Sequence, residues 1–165
     1  MVVAERGWRT PHRFRFRNVW QVAASPEETY AALCRLPEYP MWWPEVKEVL
    51  VADRGGVRVR CRSVLPFDLS FVIHEPQLDP ESGVLQARLA GDLEGYSRWT
   101  VTGTTGGSIL VFDEEVETTR PLLKRLSRLV RPALHANHAL MMRHGEAGLR
   151  AHLAALRAQA AAATA

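Results

Sequence analysis

The chain has 165 residues, 47% hydrophobic and 24% charged, with a net charge of +3. That balance suits one soluble domain with a core of its own, and no apolar run approaches the roughly 18 residues of a membrane span. No secretory signal opens the chain, and two cysteines are too few for a disulfide framework, so Cys34 and Cys61 are expected as buried free thiols in a reducing cytoplasm.

A single domain over residues 12–158 is expected, after an N-terminal extension (1–11) and before a disordered tail (159–165). Phe14, Phe16, Asn18, Trp20 and Val22 alternate with Arg13, Arg15, Arg17, Val19 and Gln21, which predicts a first strand with one apolar face. Ser25-Pro26-Glu27-Glu28 then opens a short helix, with Ser25 as cap, Pro26 in the first turn and Glu28 at the capping-box position. The helix stops near Pro37. Leu36 to Pro44 carries three prolines, which predict a short helical turn or a lid. Trp42 and Trp43 are neighbours in this stretch, so one is expected to cover a cavity and the other to pack or lie near the surface.

Strands follow with Gly-, Pro- and Asp-rich punctuation: Val46 to Ala52, Val57 to Arg62, Phe67 to His74, Val84 to Leu89, Tyr96 to Thr102 and Ile109 to Thr118. Asp53-Arg54-Gly55-Gly56 reads as a hairpin turn, Pro76 to Gly83 as a loop and Gly91 to Gly95 as a turn. Short connections predict a mostly antiparallel sheet of seven strands. The exception is the first connection, which passes through the Ser25 helix.

From Pro121 onward the period changes to that of a helix. Leu122, Leu126, Leu129, Val130, Ala133, Asn137, Leu140, Met141, His144 and Gly148 fall on one side, and Pro132 is expected to kink or split the helix. The alanine-rich end after Leu156 is expected to fray. Residues 121–158 hold seven Lys or Arg and one acid, Glu146. These charges read either as a solvated face or as a contact with an anionic ligand or membrane. No basic patch is interleaved with exposed aromatics, so nucleic acid is not an expected partner.

The last strand has the clearest phase. Leu110, Phe112, Glu114, Val116 and Thr118 share one face, while Asp113, Glu115 and Glu117 lie on the other, which is therefore outer. Glu114 then points inward. Its carboxyl is either desolvated, and so able to act as a general acid or base, or paired structurally with an Arg or His of the helix. Asn137 interrupts the helix stripe and needs partners: a ligand carbonyl or hydroxyl, a strand backbone, or water. His144 reads as a proton shuttle or as a structural or surface His; His138 lies one step off the stripe.

Trp20, Trp99 and Phe112 suit either the wall of a site for a flat ligand or ordinary core. Tyr39 and Trp42 sit where an entrance loop is expected, and Met141 is on the stripe. Arg58, Arg60 and Arg62 read as an outer face, or, with the register reversed, as cavity cations. Phosphate-binding loops, nucleophile elbows and metal-ligand clusters are absent from the sequence.

The order strand, helix, six strands, long helix resembles the helix-grip fold of the START-like superfamily. Trp42-Trp43-Pro44-Glu45-Val46, Gly91 to Gly95 with Ser97-Arg98-Trp99, Pro121-Leu122-Leu123, Ala136-Asn137-His138 and Gly145 to Leu149 resemble its polyketide cyclase/dehydrase-like branch. The resemblance covers residues 12–155. It implies an α+β fold in which a curved sheet clasps the C-terminal helix around a cavity for a hydrophobic or aromatic small molecule. It implies no metal and no cofactor. Two functions are compatible with it. One is aldol-type ring closure or dehydration, with Glu114, Asn137 or an inward Arg handling protons and enolates. The other is non-catalytic carriage of a lipid or quinone, with the basic helix against an anionic membrane. A protein-binding module with a vestigial cavity is a third class.

Overall fold

A computed structural model describes residues 12–52 and 55–164, the side chains of residues 126–128 excepted. The expected extension 1–11, the Asp53-Arg54 half of the first hairpin turn and Ala165 lie outside the described residues.

Alternation produces β1 (Arg13–Val22), whose Phe14, Trp20 and Val22 are buried while the arginines between them are exposed. The capping box then starts α1 (Pro26–Cys34): Ser25 Oγ accepts from Glu28 N at 3.2 Å, and Glu28 Oε2 accepts from Ser25 N at 2.9 Å. The proline-rich stretch makes a single 3₁₀ turn at Leu36–Glu38 and a short helix, α2 (Tyr39–Trp42). Six strands follow: β2 (Val46–Val51), β3 (Val57–Arg62), β4 (Asp68–Asp79), β5 (Val84–Gly91), β6 (Leu93–Thr104) and β7 (Gly107–Thr118). The chain closes with α3 (Pro121–Ala163).

The seven strands form one sheet in the order β1-β7-β6-β5-β4-β3-β2, and every pairing is antiparallel. β1 and β2 are the two edges, so the helical connection between them spans the sheet. The expected exception at the first connection therefore leaves no parallel pair among the described strands.

Three expected boundaries are corrected. β4 does not stop at His74 but runs on through Pro76 to Asp79. It does so across an irregularity between His74 and Gln77, where Glu75 takes φ +47°; a bulge tolerates a residue with no N–H to donate. Between β5 and β6 only Asp92 intervenes, its Oδ2 accepting from Ser70 N at 2.8 Å. α3 is one helix through Pro132, which lies exposed, and it continues to Ala163 instead of fraying after Leu156; alanine is the best helix former.

Packing concentrates at one end of the interior. Trp20 meets Trp43 edge-on at 5.4 Å between centroids, and Trp42 stacks on Trp43 at 5.5 Å. α3 comes close enough to seat here because it presents glycine. A methyl on Gly145 would come within 2.6 Å of the Trp43 ring, and one on Gly148 would collide with the Trp42 carbonyl. Trp43 Nε1 donates to the Met141 carbonyl at 3.0 Å and pins the helix in this rotation. Trp42 and Trp43 are thus both buried, and of the two expected placements Trp42 takes the packed one, not the surface one. α2 ends between them, and Trp43 turns to extended backbone (φ −110°, ψ 100°), which aims both rings inward. Among the described residues no helix is long and apolar enough to cross a membrane.

Candidate functional site

Beyond the tryptophans the sheet and α3 separate and leave a partly open cavity of about 340 Å³. Its wall is made mainly of apolar side chains from both layers: Phe16, Phe71, Trp99 and Phe112 from the sheet, Leu134, Met141 and Met142 from α3, and Tyr39 and Trp43 from the α2 segment. The volume lies near the lower end of the range for small-molecule sites, about 300–1,000 Å³. Polar groups in the wall are few, and they meet α3 at two places.

The first is Glu114. Across the sheet Glu114 sits opposite Phe16 of β1 and Ser97 of β6. Its Oε2 lies 3.2 Å from His138 Nε2, and both side chains are nearly buried. His138 is held flat on Phe16, with ring centroids 3.7 Å apart and 10° between planes. Glu114 thus faces inward, lines the cavity and lies beside a helix His. Next to it, His135 packs on Phe14 and Phe16, and burial, with the charges of Arg131 and His138, holds it below the ordinary histidine range.

The second is Asn137, which is buried. Its Oδ1 accepts from Ser63 Oγ at 2.5 Å, and its Nδ2 points at Met141 Sδ at 3.4 Å. Ser63 follows β3, so this contact ties the helix to the far side of the sheet. Two other polar groups of the wall are engaged away from it: Tyr39 donates to the Leu33 carbonyl at 2.9 Å, and Gln86 Oε1 accepts from Arg98 Nε at 2.7 Å. Burial raises the Tyr39 phenol and pushes the Cys61 thiol up to about 12.

Of the residues expected at a site, Tyr39, Trp99, Phe112, Glu114, Asn137 and Met141 line this cavity. Trp20, Trp42 and His144 do not. Trp20 and Trp42 sit behind it in the packed end, and His144 faces outward with Nδ1 2.6 Å from Glu45 Oε1. The expected helix stripe is therefore rotated. Leu122 and Leu129 are 67% and 81% exposed, while His138 and Met142, off the expected line, face the cavity. The glycines set the rotation, and Gly145-x-x-Gly148 is the sequence signal for it. The arginines of β3 lie on the outer face, where Arg60 pairs with Glu48 and Asp68. Cys34 is exposed instead of buried, because α1 ends there. Among the described residues no three His, Cys, Asp or Glu side chains are grouped to hold a metal ion.

A family described as polyketide cyclase / dehydrase and lipid transport matches residues 13–160. No curated protein matches the chain. Among solved structures, the Zhui aromatase/cyclase from Streptomyces sp. R1128 superposes with a TM-score of 0.69 at 15% identity, covering 86% of this chain and 94% of that one. The protein TTHA0849 from Thermus thermophilus superposes at 0.65 with 20% identity, over 85% and 98%. A START superfamily protein from Mycobacterium smegmatis superposes at 0.58 with 17% identity, over 88% and 99%. At these identities the likeness is one of fold.

Proposed function

The chain belongs to the polyketide cyclase/dehydrase and lipid transport family of the START-like superfamily, and from that premise we propose that its cavity binds a flat, largely apolar small molecule. The observation that carries this reading is the space between sheet and helix, walled by Trp43, Trp99, Phe112, Met141 and Met142 and touched by polar groups at Glu114, His138 and Asn137. Aromatic walls favour flat rings, and a few fixed polar groups orient them.

Chemistry of the cyclase/dehydrase kind follows from the same groups. Glu114 takes a proton from a carbon beside a ketone, and the C–H electron pair becomes the enolate. The enolate carbon bonds to a second carbonyl of the same chain, and the resulting alkoxide recovers the proton from Glu114. Asn137 offers an amide N–H to the oxygen on which charge develops. The wall's part is to fold the reactive chain so that the two carbons meet.

The test begins with native mass spectrometry of the purified protein. A co-purified aromatic or polyketide-like mass supports the reading, and a long-chain lipid favours a carrier. If a cyclisation is then measured, Glu114→Gln and Asn137→Ala should each slow it by about 100-fold or more with folding intact; unchanged rates reject these roles.

One feature favours carriage as a second reading: Leu122 and Leu129 stand exposed on the stretch of α3 that also carries Lys124, Arg125 and Arg131. Salt-sensitive binding to vesicles containing anionic lipid would support it, and no binding would remove it.

A further inference from the structure

The polar groups of the cavity wall are unbalanced in a way that defines what fits. Among the described residues that line it there is no lysine or arginine, and one carboxylate, Glu114. Arg131 and Arg120 reach wall rings, lying 5.2 Å from the Phe14 centroid and 5.5 Å from that of Phe67, yet neither lines the cavity. His138 Nε2 lies 3.2 Å from Glu114 Oε2, at the Glu114 end of the wall. Asn137 Oδ1 and Gln86 Oε1 are already engaged by Ser63 and Arg98. Glu114 Oε1 has no hydrogen-bond partner among the described residues. Among the described residues the space therefore presents an ionisable acceptor, Glu114, and no lysine or arginine to meet an anion. A buried anion without a partner is strongly disfavoured, and a second carboxylate beside Glu114 would add repulsion.

We propose that the cavity selects a neutral aromatic or conjugated molecule bearing a hydroxyl (a phenol or enol) that donates to Glu114 Oε1, and rejects carboxylates and phosphate esters. The inference rests on the reading that the cavity binds a flat apolar ligand, and it narrows that ligand. Phe16 and His138, stacked beside Glu114, would hold the ring that carries the hydroxyl. Fatty acids and anionic lipid heads are excluded from the interior by the same arrangement, whatever α3 touches outside.

Three probes of one shape separate these possibilities: 2-naphthol, 2-methylnaphthalene and 2-naphthoate, with Kd measured by equilibrium dialysis at neutral pH. Hydroxyl and methyl differ in the cost of leaving water, so the comparison is made as a cycle with Glu114→Leu, in which that cost cancels. The naphthol-to-methylnaphthalene affinity ratio should fall about 10-fold or more in Glu114→Leu. The parent protein should reject 2-naphthoate, and Glu114→Gln should bind it about 10-fold or more tightly than the parent does. Glu114→Gln keeps the shape of the side chain, so it carries the charge half of the test even if Glu114→Leu fails to fold. A ratio unmoved by Glu114→Leu, or 2-naphthoate as the tightest ligand of the parent, overturns the selection rule while leaving the cavity reading intact. Failure of the parent to bind any of the three overturns both.

Discussion

The two ends of the space between sheet and α3 are built on opposite principles. At the α2 end Trp20, Trp42 and Trp43 fill the gap, and α3 answers with Gly145 and Gly148, so that helix and rings come into direct contact. Toward the start of α3 the helix answers with Leu134, His138 and Met141, the sheet with Phe16, Trp99 and Phe112, and a space remains. Glycine plus tryptophan gives close contact. Leucine, histidine and methionine on the helix facing aromatic rings on the sheet, with the helix axis already fixed elsewhere, leave a hollow. The packed end holds α3 at the distance that keeps the other end open.

The sharpest way to break this contrast is Gly148→Ala. The added methyl meets the Trp42 carbonyl, which is backbone and cannot swing aside. The expected cost is about 3 kcal/mol, or roughly 10 °C in Tm, read by thermal denaturation. A neutral result would mean that the packed end does not position the helix. Leu149→Ala comes next: Leu149 is fully buried in the packed end, and its truncation should cost about 2–5 kcal/mol. Leu134→Ala, at the cavity wall, should cost under about 1 kcal/mol, since a wall residue lacks partners on one side. Equal losses at the two sites would erase the distinction. Trp43→Phe keeps most of the packing and removes the N–H donated to Met141, for about 1 kcal/mol in chemical denaturation.

The cysteines sharpen the contrast without mutation. Cys34, exposed, should react with iodoacetamide in the native protein, and Cys61 should react only on unfolding. Burial raises the Cys61 thiol from 9.0 to about 12. The unfolded chain therefore loses this proton first, and stability is full below about pH 9 and falls as pH rises toward 12. Tyr39 shifts in the same direction. Denaturation midpoints that stay constant over that range would contradict the burial.

Much of this contrast is legible in the sequence where the signal is local. The capping box at Ser25, the alternation of β1 and β7 and the inward phase of Glu114 each depend on a few neighbouring residues, and each is found in the structure. The rotation of α3 is not local. Leu122, Leu129 and His144 match a stripe as well as Leu134, His138 and Met142 do, and what decides between them is the fit of Gly145 and Gly148 against α2, about a hundred residues earlier. The same long-range contact explains why Trp43, not Trp42, lines the cavity, and why His138, off the expected stripe, is the partner of Glu114. The length of β4 is hidden for a different reason: Pro76 signals a break, but here a bulge carries the strand past it.

The central claim is that the hollow accepts a flat apolar guest, and its own methionines report on it. Met141 and Met142 line the cavity, whereas Met41 is 74% exposed. With the methionine methyls labelled with carbon-13, titration with 2-naphthol should shift the signals of Met141 and Met142 in a saturable way and leave Met41 in place. A titration that moves Met41 alone, or moves none of the three, would contradict the account.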